Sequence, residues 1–280
     1  MESDGEFIMA VKYLSGNRLW GTNAERLAMS GADTSATPTY SNTFANDTDF
    51  STTSTTYVNV DDTVAGALWH DVTRSATNRA GTWNLPSALS DDTWTMRFQS
   101  NMTTVSGSGA TTRTFIGMTD KLYTDGSTVS QNFIGLGTKL NAAASIWYPV
   151  TVKGNHLDVG DTDSTTYALS ETTIYIEVKR LTSTTYSIRW TTSSDYTGGT
   201  LKEGTVGEDG GSGTCTGLQR FVVCNLNVST TGAYSIIGNI PEVNIWDNVL
   251  PNLPNGTIFI TSDTNVHYMW NGTDTWNEVA

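Results

Sequence analysis

The chain has 280 residues, of which 37% are hydrophobic and only 15% charged, with a formal net charge of −13 and an isoelectric point near 4.4. That length buries a full core as one large domain or two ordinary ones. The acidic balance argues against nucleic acid or an anionic membrane as partner, and no apolar run approaches the roughly eighteen residues of a membrane-inserted helix. The polar surface must therefore come from Thr, Ser, Asn and Gly, a mix that suits strands and turns and is common in extracellular and virion proteins.

The N-terminal stretch MESDGEFIMAVKYL lacks the basic start, apolar centre and small-residue cleavage site of a secretory signal. Either a signal has been removed or the protein reaches a virion surface or extracellular location inside an assembly. Residues 1–8 read either as vector-derived or as a leader, because MAVKYLSGNRL has the form of a natural start at Met9. Val11 to Leu19 is a predicted strand ending at Gly21. Thr22-Asn23-Ala24-Glu25 has the form of a capping box and predicts a helix of about two turns through Met29. A loop rich in Ser, Thr, Ala and Pro follows to Tyr40.

From about Thr39 to Trp246 the pattern is strand, turn, strand. The clearest pair lies in ETTIYIEVKRLTSTTYSIRWTT. Ile174, Ile176 and Val178 alternate with Tyr175, Glu177 and Lys179, and after a polar turn Tyr186, Ile188 and Trp190 alternate with Ser187 and Arg189. This period of two predicts an antiparallel hairpin with one buried and one wet face. Trp94, Met96 and Phe98 alternate in the same way against Thr95, Arg97 and Gln99. Phe133–Leu136 and Phe221–Val223 are apolar on both faces and are predicted to be central. Many short strands without intervening helical periods predict an all-β antiparallel sandwich or jelly roll and exclude a parallel α/β fold.

The last thirty residues differ. Pro251-Asn252-Leu253-Pro254-Asn255-Gly256 is a breaker-rich linker, and three short runs follow, Thr257–Thr261, Val266–Trp270 and Thr275–Val279. The Asn271-Gly272 turn is a strong hairpin signal. A three-stranded meander is too small to be stable without docking on something.

The central span resembles the concanavalin A-like lectin/glucanase superfamily, which includes laminin G-like modules. The resemblance rests on SALSDDTWTMRFQSNMTT, FIGLGTKL, ETTIYIEVKRLTSTTYSIRW, GLQRFVVCNLN and GNIPEVNIWDN, in that order. It implies a jelly-roll sandwich over 39–250. The ends carry a second resemblance: RLWGTNAERLAMS followed by NGTIFITSDTNVHYMWNGTDTWNEV is similar to a short unit of phage and archaeal-virus structural proteins. Residues 1–38 and 251–280 would then be two halves of one small module, with the jelly roll inserted between them, an arrangement tolerated when the insert's ends lie close together.

Glucanases of this superfamily place two carboxylates on one strand, and the Glu-x-Asp-x-x-Glu pattern is absent here. Glu242 and Asn244 share a face without a second carboxylate, and Glu177 is expected in a surface pair with its neighbours. His70, His156 and His267 lie far apart, and neither Gly-x-Ser-x-Gly nor His-Glu-x-x-His occurs. No enzymatic activity is expected. Asp158, Asp161 and Asp163 fall in one turn, a candidate calcium site whose alternative is a solvated acidic loop.

Glycan recognition needs aromatic faces beside polar groups. Trp147 points opposite to Ile146, Tyr148, Val150 and Val152 and is the first candidate, with Trp69, His70 and Asp71 the second; each is otherwise a core position. Tyr268, Trp270 and Trp276 either form the core of the terminal module or make assembly contacts. Cys215 and Cys224 flank a predicted strand, which holds their Cα atoms beyond the reach of about 7 Å that a disulfide spans unless the loop before it folds back, so free thiols are expected. Asn46, Asn101, Asn227, Asn255 and Asn271 begin sequons that matter only in a glycosylating host. Three functions follow as expectations, in this order: a non-enzymatic virion structural protein (capsid, decoration or fibre) forming a homo-oligomer or larger assembly, a carbohydrate-binding adhesion module of a microbial surface, and last a glycoside hydrolase, which needs a carboxylate pair about 5–9.5 Å apart in a cleft.

Overall fold

The computed structural model describes residues 12–14, 18–23, 26, 38–45, 50–52, 58–61, 67–73, 79–108, 112–121, 130–140, 145–155, 157, 166–196, 198–226, 233–247, 256–270 and 276–279. Its strands, numbered β1 to β21 along the chain, form three sheets. One has nine strands. Its main path is β15 (Thr200–Thr205), β14 (Thr185–Thr191), β13 (Thr173–Arg180), β8 (Trp94–Ser108), β17 (Ala233–Ile240), β6 (Ala67–Thr73) and β5 (Val58–Asp61). β18 (Val243–Asp247) and β3 (Tyr40–Asn42) extend it from the first half of β8. The second sheet runs β12 (Tyr167–Ala168), β11 (Ser145–Asn155), β10 (Gln131–Leu140), β9 (Thr112–Thr119), β16 (Arg220–Leu226), β7 (Arg79–Asn84) and β4 (Phe50–Thr52). Every pairing in these two sheets is antiparallel. The fold is an all-β jelly-roll sandwich.

Alternation explains its core. Trp94, Met96 and Phe98 of β8 and Ile174, Ile176 and Val178 of β13 meet Ile134 and Leu136 of β10 and Phe221 and Val223 of β16 in one buried cluster. Each such side chain contributes roughly 1.5–3 kcal/mol by leaving water. The long β8 is the spine of the nine-stranded sheet. One side of it pairs with β13; the other pairs with β17 and then β18, which continue one another past Pro241.

The outer face of the seven-stranded sheet is also apolar, with Phe115, Phe133, Tyr148, Val152, Val222 and Cys224 in a second buried cluster. Gly117 and Gly135 stand opposite one another in it, and the Phe133 ring lies where either Cβ would sit, 2.8 Å from both positions. Backbone is closer still, since a Cβ on Gly135 would meet the Ile116 carbonyl oxygen at 2.3 Å.

The chain ends share the third sheet. β1 (Lys12–Leu14) and β2 (Arg18–Gly21) form a hairpin where one strand was expected, and β2 pairs in parallel with β19 (Ile258–Thr261). β20 (His267–Trp270) and β21 (Trp276–Val279) complete it. Leu19, Phe259, Trp270 and Trp276 are its core, with Tyr268 packed against them. The Asn23 amide donates to the Asp263 carboxylate at 3.1 Å, and the Arg26 guanidinium, held by Asn23 Oδ1 at 2.9 Å, lies 3.7 Å from the Tyr268 ring centre. Of the expected helix, Asn23 and Arg26 are helical, and the Arg26 amide donates to the Thr22 carbonyl at 3.0 Å; the residues after Arg26 lie outside the described ones. Cys215 and Cys224 are not joined in a disulfide and are buried in different clusters.

Candidate ligand-binding face

Strand alternation sends Arg97 of β8, Glu177 of β13 and Asn244 of β18 to the outward side of the nine-stranded sheet, the face away from the core, and cross-strand register lines them up in one row. Arg97 donates through Nε to Glu177 Oε2 at 2.7 Å and through Nη2 to the same oxygen. Lys179, two residues along β13, reaches Glu177 Oε1 at 2.9 Å. The expected surface pair is therefore a buried one, with the Arg97 and Glu177 side chains 9% and 6% exposed. Burial alone would raise the Glu177 pKa, but Lys179 and Arg97 outweigh it and hold the carboxyl below its ordinary value. A carboxylate held ionised in this way has no proton to donate near neutral pH.

The connection from β14 to β15 provides the cover. Arg189 donates to the Gly198 carbonyl at 2.6 Å and draws the loop back over the sheet. Tyr196 then sits at φ +62°, a conformation that costs a bulky side chain about 1–3 kcal/mol and is kept only where the surroundings impose it. Its ring lies 4.7 Å from the Arg97 guanidinium carbon and 5.7 Å from the Tyr175 ring, edge to face. On the other flank Trp246 is 5.7 Å from the same guanidinium. Burial pushes the Tyr196 phenol up to about 12, so its hydroxyl stays protonated over the whole neutral range.

Beside these rings runs a ladder of amides. Thr173 Oγ1 donates to Asn101 Oδ1 at 2.9 Å, Gln99 Nε2 to the same oxygen at 2.6 Å, and Asn101 Nδ2 to Asn239 Oδ1 at 2.8 Å. All four residues are outside the core, and the ladder leaves Asn239 Nδ2 and Gln99 Oε1 without protein partners among the described residues. The half-buried Tyr175 and Tyr196 rings, the fixed amides and a neutralised charge pair form a surface that accepts hydroxyls and C–H faces together.

The residues singled out in the sequence fall elsewhere. Trp147 is 1% exposed and belongs to the inter-sheet core, which overturns it as an outward ring. Both faces of β11 are buried, so alternation showed that Trp147 opposes Tyr148 and Val150 but not which side meets solvent. Trp69 occupies the register position opposite Asn239, with His70 and Asp71 following on β6; their side chains lie outside the described residues, as do Asp158, Asp161 and Asp163. Among the described residues no three His, Cys, Asp or Glu side chains converge as a metal group. Trp270 is fully buried, Trp276 is 7% exposed and Tyr268 lies under Arg26, so these rings make the terminal core rather than an outward contact. The sequon residue Asn101 has its amide nitrogen engaged by Asn239. Tyr196 was missed because it sits in a turn without periodicity; the run Thr197-Gly198-Gly199 was its only local signal.

No protein-family model matches the chain, and no curated protein is significantly similar to it. Among solved structures it is similar to the CBM2 module of Lactobacillus casei BL23 phage J-1 evolved Dit, at 10% identity, covering 76% of this chain and 97% of that one with a TM-score of 0.45. It is similar to the lectin from Bauhinia forficata in complex with GalNAc, at 10% identity, 75% and 98% coverage and a TM-score of 0.43. It is also similar to a GH43 protein from Bacillus licheniformis, at 9% identity over 74% of this chain with a TM-score of 0.44, and spans 39% of that protein's length.

Proposed function

We propose that the chain is a non-enzymatic carbohydrate-binding sandwich that takes neutral glycans on the outward face of its nine-stranded sheet, at a virion surface or extracellular site. The observation that carries this reading is Tyr196, held in a strained conformation above the Arg97–Glu177 pair and beside the Asn101–Asn239 ladder. A sugar would stack on the half-buried Tyr196 ring, beside Tyr175, and bond its hydroxyls to the amides. The net charge of −13 favours neutral over acidic glycans. Screening on a glycan array tests it: binding by the wild type that Tyr196→Ala removes supports the reading, and no binding to any neutral glycan ends it. A catalytic role is tested on the same glycans, where no release of reducing ends is expected.

A second reading, a structural component of a virus particle, draws support from the terminal sheet. The face opposite its core carries Met269, 38% exposed, beside half-buried Trp20, Ile258 and Ile260. Light scattering is expected to show a defined oligomer that Met269→Lys weakens; a clean monomer would count against an assembly role.

A further inference from the structure

The outward face does not stop at Asn244. Ser41 of β3 stands opposite Asn244, which stands opposite Arg97, so one row crosses three strands. At about 4.8 Å per strand, Ser41 lies roughly 10 Å from Arg97. Ser41 is also on the lip of an open cleft of about 570 Å³ where the two sheets meet at the sandwich edge. This volume falls in the range of small-molecule sites.

The cleft's walls are β3 with the turn after it and the end of β7. Phe44, at φ +53°, turns inward and is fully buried against Trp83 and Phe50, with its amide held by Asn42 Oδ1 at 2.6 Å. That inward turn leaves Thr43 and Ala45 exposed on the rim. On the opposite wall the Leu85 amide donates to the Gln219 carbonyl at 2.9 Å, and the Gln219 side chain donates to the Leu85 carbonyl at 3.0 Å. The Tyr40 hydroxyl and Ser87 Oγ, 2.7 Å apart, tie the walls together. The cleft is thus preformed. Its described lining is tyrosine, tryptophan, two asparagines, hydroxyls and small apolar groups, with no charged side chain.

We infer that the edge cleft is a second sugar subsite, continuous with the Tyr196 face, and that the protein binds internal stretches of a neutral polysaccharide rather than a terminal sugar. The inference rests on the carbohydrate-binding reading and names its substrate class. Two features carry it: the shared row Arg97–Asn244–Ser41, which makes one path from the Tyr196 face to the cleft lip, and the neutral, amide-bearing cleft itself. Glu242, bonded to Ser41 Oγ at 3.4 Å, is the exposed carboxylate beside this path and adds to the bias against acidic chains.

The test uses the full chain with laminarin, galactomannan, xylan and polygalacturonate, followed by calorimetry on a length series of oligosaccharides from the polymer that binds. Affinity is expected to rise at least tenfold from disaccharide to the longest oligomer, and polygalacturonate is expected not to bind. Thr43→Trp fills the cleft from its exposed rim; it is expected to weaken the longest oligomer about tenfold and leave the disaccharide unchanged. Asn84→Ala, also exposed, is expected to do the same more weakly, which guards against a misfolded Thr43 variant. A length-independent affinity, or a longest-oligomer affinity that neither variant changes, overturns the second subsite while the carbohydrate reading stands. Binding of polygalacturonate alone overturns the neutral class. If the wild type binds none of the polymers and Tyr196→Ala differs from it on no glycan, both fall.

Discussion

Arg97 and Glu177 stand directly opposite one another on β8 and β13, joined through two guanidinium nitrogens to one carboxylate oxygen, on the side of the sheet that alternation assigns to solvent. Tyr196 and Trp246 close over the guanidinium from either flank, and Lys179 takes the second carboxylate oxygen. The pair makes a polar floor on which aromatic rings can be held at fixed height.

Breaking that floor on one side should be costly. Glu177→Gln leaves Arg97 buried without its counter-charge and is expected to destabilise the fold by roughly 3–5 kcal/mol in urea unfolding, while Arg97→Met with Glu177→Leu should recover most of the loss. Because the folded Glu177 carboxyl lies below its ordinary value of 4.5, its contribution is present above that pH and is lost as pH falls through the folded value. The wild type should therefore lose stability on acidification more steeply than Glu177→Gln. Equal acid slopes would show that the pair carries no stability.

Cys215 tests the other end of the pH scale. Burial pushes its thiol up to about 11 from an ordinary 9, so the unfolded chain loses that proton first as pH rises. The folded state should be unaffected below pH 9 and lose up to about 3 kcal/mol between 9 and 11, at 1.36 kcal/mol per unit. Cys215→Ala should flatten this alkaline loss. An unchanged urea midpoint difference between pH 8 and pH 10.5 in that variant would contradict the assignment.

The glycine pair under Phe133 is a packing requirement. Gly135→Ala drives a methyl group into the Ile116 carbonyl and the Phe133 ring and is expected to cost about 1–3 kcal/mol, with Phe133→Ala, which empties the same site, costing about 3–5 kcal/mol. Thermal unfolding measures both. A neutral Gly135→Ala would mean that the two strands can separate at this point.

The architecture was legible in the sequence where one face is polar and the other apolar. β8, β13 and β14 announced themselves through Trp94-Met96-Phe98, Ile174-Ile176-Val178 and Tyr186-Ile188-Trp190, and their inward faces are as alternation requires. Short strands were not legible: β3 and β4 have three residues each, too few to show a period, and β7 (RAGTWN) hides Trp83 among small residues. Sidedness failed for Trp147 because its sheet is apolar on both faces. The site itself was the least legible part, since Arg97 and Glu177 looked like ordinary outward charges. Only a loop folding back from distant sequence, pinned by Arg189, makes them a buried pair beneath an aromatic ring.

Calorimetric titration of the wild type, Tyr196→Phe and Tyr196→Ala with the best neutral glycan from the array tests the central claim most directly. Stacking needs the ring and not the hydroxyl, so Tyr196→Phe should bind nearly as the wild type does. Tyr196→Ala should lose about tenfold or more, the equivalent of about 1.4 kcal/mol, with a cooperative unfolding transition showing that the variant is folded at the titration temperature. Equal affinity in all three proteins, or no glycan affinity in the wild type, would contradict the claim.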